Sequence, residues 1–141
     1  MTENQIGREV VDSALKIHRA LGPGLFESVY EVVLAHELTR RGLRVERQKA
    51  VPIVYEGVEF EEGFRADLIV DGLVIVEIKS VESLNNAHRK QVLTYLRLTG
   101  LKLGFLVNFA EALLKDGLER FVNRLEEPGS GSAGHGENAR D

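Results

Sequence analysis

Apolar residues recur at helical spacing in the first twenty positions, where Ile6, Val10, Ala14, Ile17 and Leu21 fall on one stripe and predict an amphipathic helix over about 4–21. Gly22-Pro23-Gly24 interrupts the pattern, and a second helix is predicted from about Leu25 to Arg41, stopping at Gly42. Its apolar residues, Phe26, Val29, Tyr30, Val32, Val33, Leu34 and Leu38, spread round much of the circumference and predict packing on more than one side. After Gly42 the period shortens to β-rich runs at about 44–55, 58–70 and 73–80, the last two joined by Asp71-Gly72, a strong hairpin signal. The run from Leu73 to Lys79 is apolar on both alternating faces, as expected of a central strand covered on each side. A third helix over about 86–99 before Gly100, an apolar strand over 102–109 and a possible last strand over 118–125 complete the order. The fold class expected is mixed α/β.

At 141 residues, 43% of them hydrophobic, the chain suits one core, placed here at 1–125. The Gly/Ser-rich stretch from Pro128 lacks an apolar pattern, so 126–141 reads as a disordered acidic tail. The tail also bears on charge. Glu126, Glu127, Glu137 and Asp141 against Arg140 contribute −3 of the net −4, leaving the body near −1. A near-neutral body suits transient catalytic contact better than tight non-specific grip on a polyanion. Neither an apolar run of membrane-spanning length nor a charged-then-apolar leader is visible, so a cytoplasmic protein without membrane contact is expected. With no cysteine, thiolate metal sites are excluded and hard oxygen donors become the main route to a metal.

The most informative constellation is Asp67 near the end of one strand, a hairpin, then Glu77-x-Lys79 at the end of the next. Alternation puts Glu77 and Lys79 on one face and Ile78 on the other, so two neighbouring strands can gather Asp67, Glu77 and Lys79. Two carboxylates beside apolar strand repel each other unless a hard divalent cation sits between them, and Lys79 could then orient or deprotonate an attacking water. The bland alternative is a solvated pair at a strand end. On the following helix His88, Gln91 and Tyr95 share a side; Gln91 and Tyr95 could reach the lysine or a phosphate, or simply border the core, and His88 reads as an ordinary boundary residue. Glu27 stands in the first turn of the second helix, where the dipole favours an acid, with Glu31 one turn on along the same face. Arg40, Arg41, Arg44, Arg47 and Lys49 are either a solvated turn and strand or a backbone-contact patch.

Gly22-Pro-Gly-Leu-Phe-Glu-Ser-Val-Tyr30, Phe64-Arg-Ala-Asp-Leu68, Val76-Glu-Ile-Lys-Ser80, Gln91-x-x-x-Tyr95 and Gly104-Phe-Leu-Val-Asn-Phe109 together resemble the GxxExxY family, with Gly24, Glu27 and Tyr30 carrying its name motif. That family is placed in the PD-(D/E)XK nuclease superfamily. The resemblance implies a core of helix, three strands, helix and strand, preceded here by an extra N-terminal helix, around a mixed sheet. It implies that Asp67 and Glu77 ligate Mg²⁺ or Mn²⁺, that Lys79 is catalytic, and that Glu27 is an additional acid for a second ion, reached directly or through water. The Ile78 carbonyl would complete the ligand set, and Gln91 and Tyr95 resemble the Gln-x-x-x-Tyr motif of the helicase-associated exonuclease branch. Ala66 stands where the superfamily's proline would be. The implied function is hydrolysis of nucleic acid, DNA ahead of RNA, with a homodimer or a protein partner as a source of affinity. The alternative is a regulator that binds nucleic acid or protein without cutting.

Overall fold

Val74, Val76 and Ile78 point to one side of their strand and Ile75 to the other, and all four are buried. In the computed structural model, which describes residues 1–126, that strand is the middle of a five-stranded mixed sheet. The sheet runs β1 (Val45–Tyr55), β2 (Val58–Val70), β3 (Val74–Lys79), β4 (Leu103–Asn108) and β5 (Leu118–Val122) in sequence order. β3 and β4 are parallel and every other pair is antiparallel. The tail expected from Glu126 onward lies, from residue 127, outside the described residues.

Helices α1 (Glu3–Leu21) and α2 (Glu27–Arg40) cover one face, where Ile6, Val10, Tyr30 and Leu34 meet Val74, Val76, Phe105 and Val107. Helix α3 (Asn86–Thr99) makes the crossover between β3 and β4 and covers the other, where Val92 and Leu96 meet Ile75, Leu106 and Phe121. This is the expected α/β order with its extra N-terminal helix. The predicted Asp71-Gly72 turn has both residues in the left-handed region (φ 52° and 67°), as the tight turn of a twisted hairpin demands.

One expectation needs correction: the second helix begins at Glu27, not Leu25. It packs against both α1 and the sheet, with Tyr30, Leu34, Ala35 and Leu38 buried, but part of its apolar surface is left uncovered: Val29 and Val32 are exposed and Phe26 is 81% exposed. The reason is its place as an outer layer beside α1, with the sheet beneath only one flank.

The β1–β2 hairpin outruns its neighbours. β2 pairs with β3 only from Leu68 to Val70, while its pairing with β1 continues to Tyr55↔Val58 at the tip. A two-stranded ribbon results, with Val54, Tyr55, Val58 and Phe60 exposed.

Candidate active site

The ladder between β2 and β3 stops at Leu68↔Val76, one residue short of Asp67 and Glu77. From there side chains replace the ladder. Glu77 Oε2 accepts from the Asp67 backbone N–H at 2.9 Å, and Asp67 Oδ2 accepts from the Ile78 N–H at 2.8 Å. Two carboxylates from adjacent strands are thus each fixed against the backbone of the opposite strand. Glu77 is only 3% exposed. Burial, then the charge of Asp67, pushes its carboxyl up to about 8, against the opposing pull of the Asp67 N–H and of Lys79.

The alternation read from the sequence holds. Ile78 is buried in the core under α1 and α2, opposite Glu77, and its N–H is committed to Asp67. Lys79 is half-buried, and its charge acts on Glu77 and on His88. From α3, the Tyr95 ring stacks on Phe64 of β2 with centroids 3.8 Å apart and planes 10° from parallel. Burial raises the Tyr95 hydroxyl's pKa, as do the charges of Glu77 and Asp67, while a side-chain hydrogen bond with Gln91 opposes the rise. The structure therefore brings Asp67, Glu77, Lys79, Gln91 and Tyr95 to one end of the sheet. His88 caps α3 instead: its N–H donates to Asn85 Oδ1 at 3.0 Å and its Nδ1 accepts from the Asn85 N–H at 3.2 Å.

Glu27 and Glu31 have different surroundings. Glu27 Oε2 accepts from the Ser80 N–H at 3.2 Å, and the Ser80 hydroxyl donates to the Leu25 carbonyl, so the start of α2 is tied to the chain just past Lys79. Tyr30 holds the same loop: its hydroxyl donates to the Gly22 carbonyl at 2.6 Å and accepts from the Leu25 N–H, while its ring stacks on Phe109. Glu31 is buried, accepts from Arg47 and Gln48, and its charge presses on Glu77.

Sequence reasoning placed Glu31 on the face of Glu27 without giving it a role, and passed over Gln48 and Asn108. Glu31 offered one signal, its helical spacing from Glu27. Gln48 offered none, because its contacts cross between α2 and β2. Asn108, fully buried at the end of β4, bonds both the N–H and the carbonyl of Val81 and so fixes the segment that leaves β3. The basic residues at 40–49 are engaged by acids: Arg40 and Arg41 with Glu37, Arg44 and Lys49 with Glu46, and Arg47 with Glu31.

Among the described residues, no three histidine, aspartate or glutamate side chains stand together as a ready metal cage. The structure supplies two adjacent carboxylates, Glu77 buried and Asp67 half-buried, with oxygen-only donors and a third acid, Glu31, linked to Asp67 through the Gln48 amide. That donor chemistry fits a hard divalent cation, since a positive charge would offset the burial and the Asp67 charge that disfavour an ionised Glu77.

A family model described as the PD-(D/E)XK nuclease superfamily matches residues 4–121. No curated protein and no solved structure gives a significant match. No helix among the described residues is long and apolar enough to cross a membrane.

Proposed function

Because the chain belongs to the PD-(D/E)XK nuclease superfamily, we propose that it is a metal-dependent nuclease of the GxxExxY type that hydrolyses phosphodiester bonds, with DNA ahead of RNA as substrate. The observation that carries this reading is the reciprocal lock between Asp67 and Glu77 at the point where β2 and β3 part, with Lys79 one alternation further on the same face as Glu77. A sheet that gives up ladder bonds to set a buried and a half-buried carboxylate side by side has a use for them beyond stability.

Asp67, Glu77 and the Ile78 carbonyl would hold Mg²⁺ or Mn²⁺, and Glu27 would serve a second ion directly or through water. The bound ion lowers the pKa of water and neutralises charge developing on the phosphate. Lys79 orients the attacking water and steadies the phosphate, while Tyr95, braced by Phe64, and Gln91 hold the phosphate or Lys79 in register. Gly24, Glu27 and Tyr30 support the finer family placement: Tyr30 fastens the loop that carries Gly24, and Glu27 ties it to the end of β3. The lack of cysteine and the oxygen-only donors suit a cytoplasmic setting.

One feature favours the second reading, a regulator that binds without cutting. The protruding ribbon between Val51 and Phe64 carries Glu56, Glu59, Glu61 and Glu62, the last paired with Arg65 just beyond it, and no lysine or arginine of its own, beside exposed Tyr55, Val58 and Phe60. Such a surface repels nucleic acid and suits a protein with a basic contact face. In the nuclease reading the same surface recruits the partner that supplies affinity for nucleic acid. The two readings separate on labelled linear, circular and single-stranded DNA and RNA, incubated with Mg²⁺ or Mn²⁺. A nuclease cleaves at least one of these and stops on chelation; a regulator cleaves none.

A further inference from the structure

Between the Asp67–Glu77 pair and α2 stands Gln48, whose side-chain nitrogen is shared by two acids. Its Nε2 donates to Glu31 Oε1 at 2.8 Å and to Asp67 Oδ1 at 3.1 Å. A primary amide nitrogen carries two hydrogens, and here both go to carboxylates from different elements, α2 and β2. Glu31 is buried, and its other oxygen accepts from Arg47 at 3.2 Å. Asp67 spends its other oxygen on the Ile78 N–H. Each acid therefore turns its remaining oxygen toward one small, electropositive centre, the arrangement in which oxygen ligands from separate elements surround a hard cation.

The backbone at this position is unusual as well. Gln48 has φ 50°, left-handed, inside β1, between the paired residues Arg47↔Leu68 and Lys49↔Ala66. A non-glycine side chain costs free energy in that region, and the conformation persists where its surroundings hold it. Here the holding contacts are the two acids on the side chain and Arg65, which donates to the Gln48 carbonyl at 3.1 Å. A residue held in this way is well placed to move once its two acceptors find a stronger partner.

We propose that in the metal-free protein the Gln48 amide occupies the place of a divalent cation between Asp67 and Glu31, and that metal loading expels it and brings Glu31 in as a third carboxylate. Gln48 is then a latch that sets the metal concentration at which the centre assembles. The proposal accounts for the separation of Glu31 from the other two acids in this structure, and it rests on the reading that Asp67 and Glu77 bind Mg²⁺ or Mn²⁺.

The test is calorimetric titration of Mn²⁺ into the full chain as wild type, Gln48→Ala, Gln48→Gly and Glu31→Gln. Loss of a competing charge-assisted bond should make the Gln48 variants bind roughly ten- to a hundredfold more tightly. Glu31→Gln should bind more weakly than wild type. Glycine suits the left-handed backbone and keeps the comparison readable should alanine disturb β1. If wild type binds Mn²⁺ and Gln48→Gly binds no more tightly, the latch is wrong and the metal reading stands. If neither wild type nor the Gln48 variants bind Mn²⁺, the metal reading fails and the latch fails with it.

Discussion

Glu77 and Asp67 each accept a backbone hydrogen bond from the other's strand, Glu77 from the N–H of Asp67 and Asp67 from the N–H that follows Glu77. This exchange takes over where the β2–β3 ladder ends, and it holds one carboxyl in a place where its charge is disfavoured.

A pH dependence results. The Glu77 carboxyl, with an ordinary value of 4.5, is raised to about 8 in the folded chain by burial and by Asp67. The folded state therefore keeps a proton that the unfolded state releases, and stability is lost as pH rises from about 4.5 to about 8, at no more than about 1.4 kcal/mol per pH unit. Thermal melts in EDTA should show wild type losing stability across that window. Glu77→Gln, which keeps the shape and cannot ionise, should show a shallower slope. His88, lowered mainly by burial and by the Lys79 charge, acts in the opposite sense below its ordinary value of 6.5, so the difference between wild type and Glu77→Gln is the quantity to read. Equal slopes would contradict the account.

Much of this was legible in the sequence, for physical reasons that differ from element to element. The doubly apolar run at 73–79 announced a central strand, and alternation alone separated Glu77 and Lys79 from Ile78. Asp71-Gly72 announced the turn that brings Asp67 alongside. Those signals are local, carried by periods of two or by dipeptides. The exposed side of α2 was not legible, because Phe26, Val29 and Val32 are chemically the same as core residues, and only the layer arrangement decides which are covered. Gln48 and Asn108, and the role of Glu31, were not legible because their partners lie on other elements.

Tyr30→Phe should test the loop that leads into α2. The substitution keeps the stack on Phe109 but removes the hydroxyl's bonds to Gly22 and Leu25. A loss of about 1–2 kcal/mol in denaturant unfolding is expected. Faster amide exchange at Leu25 should accompany it, and unchanged exchange there would show that the hydroxyl does not fasten the loop.

At the end of β4, Asn108→Ala should cost more than a typical surface change. It strands the N–H and the carbonyl of Val81 and the N–H of Ala110. About 2–3 kcal/mol of stability is expected to go, since buried polar groups lose their partners. Asn108→Asp should rescue only the bonds to the two N–H groups, so recovery to wild-type stability would count against this reading.

Tyr95→Phe separates support from chemistry. The ring can still stack on Phe64, so the melting temperature should hardly move, while the hydroxyl that bonds Gln91 and lies within reach of the Glu77 and Asp67 charges is gone. Turnover should fall by about tenfold or more with little change in KM. A fall in stability with turnover intact would make Tyr95 a packing residue only.

The central claim is that Asp67, Glu77 and Lys79 form a metal-dependent hydrolytic centre. It is tested most directly by measuring cleavage of labelled linear, circular and single-stranded DNA and of RNA by wild type, Glu77→Gln and Lys79→Ala, with Mn²⁺ binding recorded on the same samples. The account predicts that wild type cleaves, that Glu77→Gln loses both binding and cleavage, and that Lys79→Ala binds Mn²⁺ but cleaves at least about a hundredfold more slowly. Undiminished cleavage by Lys79→Ala or Glu77→Gln, or Mn²⁺ binding by wild type with no cleavage of any nucleic acid, would contradict it.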